Sequence, residues 1–218
     1  VDVHARFLLA LPLLIVAELV VHRRMRLVVG TFVKRGLVPD DARWRFDTAI
    51  AAAMRLRNSV LAEVLLIAIV YGLGVLFIWR KNAALEFPTW YGTTLTGKLQ
   101  PTLAGWWLGC VSLPLVQFIL LRWYFRLLIW TRFLWQVSRI ELQLVPTHPD
   151  RAGGLGFLAN IVYAFTPLLL AHGVLLAGLI ANRIFFAGAM LPQFTVEIVA
   201  VVGAAVFPEH VVAPIRQM

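Results

Sequence analysis

"LAGWWLGCVSLPLVQFILL", residues 103–121, runs for 19 residues without a charged side chain. An α-helix of that length covers about 28 Å, close to the thickness of a bilayer's hydrocarbon core. Read as a helix in lipid, this stretch sets the solvent for the whole chain. The composition agrees: of 218 residues, 61% are hydrophobic and 14% charged, with a mean hydropathy of +0.82. Soluble domains are about half apolar and a quarter charged.

Working outward, the same reading places further spans at about 5–22, 59–79, 155–181 and 194–207. The first is flanked by Arg6 and His22, which can reach the two interfaces along their apolar stems. The last is the shortest, carries Glu197 and ends at Pro208. The expected fold class is therefore all-α: a polytopic transmembrane helix bundle of about five spans, with interfacial helices on the cytoplasmic side and a single domain over 1–218. The chain begins at Val1 rather than Met, and further residues upstream are expected.

The net charge of +9 would suit nucleic acid only on a soluble basic face. Here the cations lie between apolar runs, which excludes nucleic acid and points to anionic membrane lipids as partners. Their distribution also orients the chain. Segments 22–58 and 122–154 hold nine and five Lys or Arg, against three in 80–102 and one in 182–193. By the positive-inside rule, 22–58 and 122–154 are cytoplasmic. The lone cysteine, Cys110, lies inside an apolar run, so no intrachain disulfide forms.

The cytoplasmic segments carry their own helical signals. "RRMRLVVGTFVKRG", residues 23–36, mixes five basic residues with Val28, Val29, Phe32 and Val33, and reads as a short helix in the interface plane. Pro39 with Asp40 and Asp41 is helix-start chemistry, and the Ala-rich stretch behind it is expected to run unbroken into the second span. After the third span, Arg122, Arg126, Arg132 and Arg139 with Trp123 and Trp130 describe a helix leaving the bilayer or lying in its interface. On the outer side, Pro88, Gly92, Gly97 and Pro101 mark a loop. Trp90, Tyr91, Trp106 and Trp107 there suit an aromatic belt.

"PTHPDRAGGLGFL", residues 146–158, is the most chemically varied stretch. Asp150 is placed to cap a helix start. Gly153, Gly154 and Gly156 mark a turn or let the fourth helix pack closely on a neighbour. The alternative is an anion or lipid-headgroup contact at His148, Asp150, Arg151, Gly153 and Gly154, because helix N-termini attract anions. No Lys-Ser/Thr follows the glycines and no strand precedes them, which removes nucleotide-loop readings. With its flanks "RFLWQVSRIELQLVPTHPDRAGGLGFL" and "NRIFFAGAMLPQF", the stretch resembles a group of uncharacterised bacterial multi-pass inner-membrane proteins, over roughly residues 104–196. The resemblance implies a bacterial inner-membrane location and brings no activity, cofactor or catalytic residue. It also implies a longer final span and a basic tail, where this chain reads "FPEHVVAPIRQM".

Ionisable groups inside spans are functional suspects. Glu18 and Glu63 lie at similar inferred depths, near Arg57, Arg122 and His22. They read either as a coupled ion or proton site or as interfacial salt bridges that fix helix register. His172 lies well inside the fourth span and lacks a second histidine at matching depth for haem. It is expected to hydrogen-bond another helix. Hydrolase and metal motifs are absent from the sequence, so no cofactor and no enzymatic activity are expected. Two functions remain. One is a small oligomeric channel or transporter using Glu18, Glu63, Arg122 and His172. The other is a non-catalytic structural or accessory subunit of a larger membrane complex. The 14-to-4 charge asymmetry has a direct test. Cysteines introduced at positions 40 and 150 are expected to resist a membrane-impermeant thiol reagent in intact cells, and one at position 93 to be labelled. Outside labelling of 40 or 150 would reverse the topology.

Overall fold

The computed structural model describes residues 2–75, 92–95, 98–145, 147–150 and 152–203. Trp90, Tyr91, Arg151 and the ends of the second and fifth expected spans (76–79 and 204–207) lie outside them. The regular structure of the described residues is helical apart from one antiparallel hairpin, β1 (Gly92–Leu95) and β2 (Lys98–Pro101), which pairs Thr93 with Gln100 and Thr94 with Leu99.

Helix α1 runs from Asp2 to Lys34, α2 from Arg43 to Arg57, and α3 from Val60 to Ile69, with a wide turn continuing to Val75. Helix α4 spans Leu103–Val137, the short α5 Asn160–Ala164, α6 Thr166–Ala187 and α7 Leu191–Gly203. Three of these, α1, α4 and α6, are long and apolar enough to cross a membrane. The expected second and fifth spans appear as the shorter apolar helices Val60–Gly72 and Leu191–Gly203, so the count of five is not reached by length.

Four boundaries are set by local signals, and three of them differ from expectation. First, α1 does not stop at the arginines for a separate in-plane helix. Nothing between His22 and Lys34 breaks the hydrogen-bond ladder, and Gly30 is tolerated within it. The helix ends only at Gly36, whose φ of +62° closes the turn. Leu37 N–H donates to Phe32 O (3.1 Å) and Gly36 N–H to Val33 O (3.1 Å), the paired bonds of a Schellman motif. Second, in keeping with one of its two expected forms, α4 continues from the apolar run through Arg122, Arg126 and Arg132 as one helix. Third, α2 does not run into α3. Asn58 and Ser59 interrupt it, and the Ser59 hydroxyl caps α3 by accepting from Ala62 N–H at 3.3 Å. Fourth, the fourth span is Thr166–Ala187 rather than 155–181. Pro167 has no N–H for the preceding turn, so the helix restarts there and leaves α5 as a separate piece.

Two compact units result, one made of residues 1–44 with 140–218 and the other of 45–139. In the first, Ala10, Leu14, Ala17, Val21, Val28 and Phe32 form one buried stripe along α1. Their spacing of three, four and seven is that of a helix–helix seam. The stripe packs against α6, which buries Leu168, Ala171, Gly178 and Ile180. Closest approach falls at Gly178, where a Cβ would stand 2.8 Å from that of Ala5. The close packing expected of the loop glycines is thus found on α6, the usual place for small residues where membrane helices meet.

In the second unit, α2 lays Phe46 edge-on to Phe133 of α4, with ring centroids 6.0 Å apart, and Trp130 stacks on Phe133 at 5.4 Å. Farther along, α3 and its wide turn Val70–Val75 pack against the Leu113–Val137 part of α4. Pro114 cannot donate to Cys110 O, its partner four residues back in a regular helix. The Tyr71 hydroxyl donates to that oxygen instead, at 3.1 Å. Trp106 and Trp107, near the start of α4, are exposed.

The seam can be tested at Gly178. Gly178→Leu is expected to cost roughly 1–3 kcal/mol through overpacking against Ala5, seen as a lowered Tm in detergent. Gly173→Leu, whose added side chain meets open space, is expected to leave Tm nearly unchanged. Equal effects would refute this packing.

Candidate functional site

The loop of residues 140–159 folds back on the end of α1, and its chemistry centres on one carboxylate. Asp150 Oδ1 accepts from Ala152 N–H and Gly154 N–H, both at 3.0 Å, and Oδ2 accepts from Gly156 N–H at 2.8 Å. Gly156 opens a 3-10 turn, Gly156–Ala159, that leads into α5, so Asp150 does cap a helix start. His148 Nδ1 lies 2.9 Å from Asp150 Oδ1 and 3.3 Å from the Asp150 amide nitrogen. Without a proton Nδ1 accepts from the Asp150 amide N–H, and with one it would donate to the carboxylate.

These contacts explain the three glycines separately. Gly153 and Gly154 have φ of +61° and +98°, a region that side-chain-bearing residues rarely adopt. At Gly156 the constraint is space, since an added Cβ would lie 2.8 Å from Asp150 Cβ. The glycines therefore build a turn around a carboxylate. Amides expected to face an external anion are occupied by this internal one.

The ionisation of Asp150 follows from the same geometry. Burial opposes the charged form, but the amides of Ala152, Gly156 and Gly154, with His148, outweigh it and hold the carboxyl well below its ordinary value of 3.8.

Further contacts bind the loop to the end of α1 and close it on itself. Arg35 Nη1 donates to Gly154 O at 2.9 Å, and its guanidinium lies 5.3 Å from the centroid of the Phe157 ring. Phe157 meets Phe32 edge-on at 5.1 Å. Gln143 N–H donates to Leu37 O at 2.9 Å, and Val145 N–H closes the loop onto Gly153 O at 3.1 Å. Arg35 and Phe157 were not singled out from the sequence, and Phe32 was named only as part of an interfacial helix. Gly36 signalled a helix end, but no spacing joins position 35 to position 154.

The second set of expected site residues is distributed differently. Glu63 is in the first turn of α3, and Arg122 of α4 lies 3.4 Å from it, with both side chains more than 40% exposed. A carboxylate there also faces the positive end of the helix dipole. Glu18 is exposed on α1, in the other compact unit. Arg57 Nε donates to the neighbouring Asn58 Oδ1 at 3.3 Å. His172 Nδ1 lies 2.8 Å from Leu168 O, one turn back on its own helix. Among the described residues, no three His, Cys, Asp or Glu side chains come together as a metal site would need. No family model, curated protein or solved structure matches this chain.

Two measurements address the loop. Gly154→Leu forces a side chain onto a φ of +98° and towards Leu37 Cδ2, 3.4 Å from the added Cβ. It is expected to lower stability by about 1–3 kcal/mol, and an unchanged Tm would contradict the turn. The second concerns pH. A depressed folded pKa contributes stability that is fully present above the unfolded value and lost as pH falls through the folded one. Protection of the 152–156 amides from hydrogen exchange, corrected for intrinsic rates, should be flat from pH 8 to 5 and decline below about 4. Asp150→Asn should show weaker protection at every pH and no decline. A wild-type decline between pH 7 and 5 would assign the control to another group.

Proposed function

We propose that this protein is a non-catalytic structural or accessory subunit of a larger membrane assembly, with anionic lipids as its immediate surroundings. The supporting observation is how its ionisable groups are used. Among the described residues no buried polar or charged side chain is present. Asp2 pairs with Arg6 one turn along at 2.8 Å, Glu63 pairs with Arg122 at a helix start, and His172 turns to its own helix. Asp150 is taken up by its own loop. A transport path needs ionisable groups within the span that water or an ion can reach and leave. Here Asp2, Glu63 and His172 are each engaged by a partner within the fold.

The second reading is an oligomeric channel or transporter. It draws on the exposure of Glu18 and of the Glu63–Arg122 pair, which a neighbouring copy would cover. In either case the proposed location is a bacterial inner membrane, with 22–58 and 122–154 on the cytoplasmic side, where the charge asymmetry puts them.

Liposome flux separates the two. The purified protein is expected to conduct neither protons nor cations above protein-free vesicles, and Glu63→Gln to change Tm alone. An exposed ion pair contributes about 0–1 kcal/mol, so that change should be small. Flux in the parent protein that Glu63→Gln abolishes would establish the transport reading instead.

A further inference from the structure

Helix α6 has two small-residue faces, and only one is used by the seam. Gly178 meets Ala5, whereas Gly173, Ala177 and Ala181, spaced four apart, line an apolar groove. A Cβ added at Gly173 would meet nothing within 4 Å. The opposite wall comes from α7, through Ile198, Val201 and Val202, and the cavity between them is about 470 Å³.

We propose that this groove holds one acyl chain of an anionic phospholipid. Three features favour a chain over a second helix. The volume lies in the range of a single small-molecule site, about 300–1,000 Å³, and a helix with side chains is about 10–12 Å across. The walls supply hydrocarbon contacts, with small residues as the floor and branched side chains as the flanks. Finally, a cation stands at one end. Arg183 adjoins Ile184, which lines the groove, and its guanidinium lies 5.7 Å from the centroid of the Phe194 ring, where α7 begins. Arg183 is exposed, near the end of α6 that closes at Gly188, where a headgroup would lie. A phosphate bound there would send its chain down the groove towards Gly173. The site is separate from the Asp150 loop and does not depend on the accessory-subunit reading.

The test is native mass spectrometry of the full chain, released from detergent micelles doped with phosphatidylglycerol or phosphatidylcholine. The parent protein should retain one phosphatidylglycerol in preference to phosphatidylcholine. Gly173→Leu and Ala177→Leu fill the floor and should reduce retention of both lipids about tenfold, a difference of 1.4 kcal/mol. Arg183→Gln should keep the chain but reduce the preference for phosphatidylglycerol about fivefold. Circular dichroism and Tm identify any variant that fails to fold, and the two floor variants check each other. Unchanged retention in both folded floor variants would overturn the proposal. So would a parent dimer that these variants convert to monomer with lipid stoichiometry unchanged, because the occupant would then be a second copy.

Discussion

In hydrocarbon, a backbone N–H or C=O has no water to turn to, and each one left unpaired costs several kcal/mol. That constraint governs where this chain bends. Each of the three long helices carries a proline, Pro12 in α1, Pro114 in α4 and Pro167 in α6. Each proline removes a donor. In α1 and α4 the ladder widens into a single slack turn just before the proline, Ala5–Ala10 and Leu108–Ser112, and the helix goes on. In α4 the deprived carbonyl of Cys110 is reached by Tyr71 from α3, which makes an otherwise plain aromatic residue a structural partner. In α6 the loss is accepted as a break, and the chain ahead of it becomes a short helix and a capped turn.

In the loop the same need is met by a side chain. The sharp turn at Gly153 and Gly154 directs several amides inward, and Asp150 answers three of them at once. Arg35 then takes Gly154 O, so the turn and the end of α1 hold each other. A charged residue at the end of one long helix and a carboxylate in a loop more than a hundred residues later thus stabilise one structure. The result is a clasp, built where the first helix finishes and the fourth apolar segment begins.

Much of this was legible in the sequence, and the limits are physical. The uncharged run 103–121 announced a helix long and apolar enough to cross a membrane, Gly36 announced where α1 stops, and Asp150 announced a cap. Those signals are local, depending on residues within a few positions. The misread boundaries involved competition between local signals. Arg23, Arg24 and Arg26 signal a membrane surface but are also good helix formers, so they mark a boundary without ending a helix. Pro167 was overridden in the reading by the apolar run around it. The candidate site was harder. The glycines at 153 and 154 showed that something tight occurs there, but an inward-facing carboxylate and an outward-facing anion site share the same residues. Only the distances from Asp150 to its own amides separate them. The contacts of Arg35 with Gly154 and of Tyr71 with Cys110 join distant segments, and no periodicity carries that information.

The account rests most heavily on α1 continuing past its arginines to reach the loop, rather than turning into the interface plane. A nitroxide scan along positions 19–34 in lipid nanodiscs, read by oxygen and nickel accessibility, measures this directly. A continuous helix should show a 3.6-residue oscillation over a depth that changes steadily by up to about 1.5 Å per residue, leaving the hydrocarbon near Arg23 and rising into water by Lys34. A depth that stays constant from Arg26 to Lys34 would mean an in-plane helix, and the clasp between Arg35 and Gly154 would have to be abandoned.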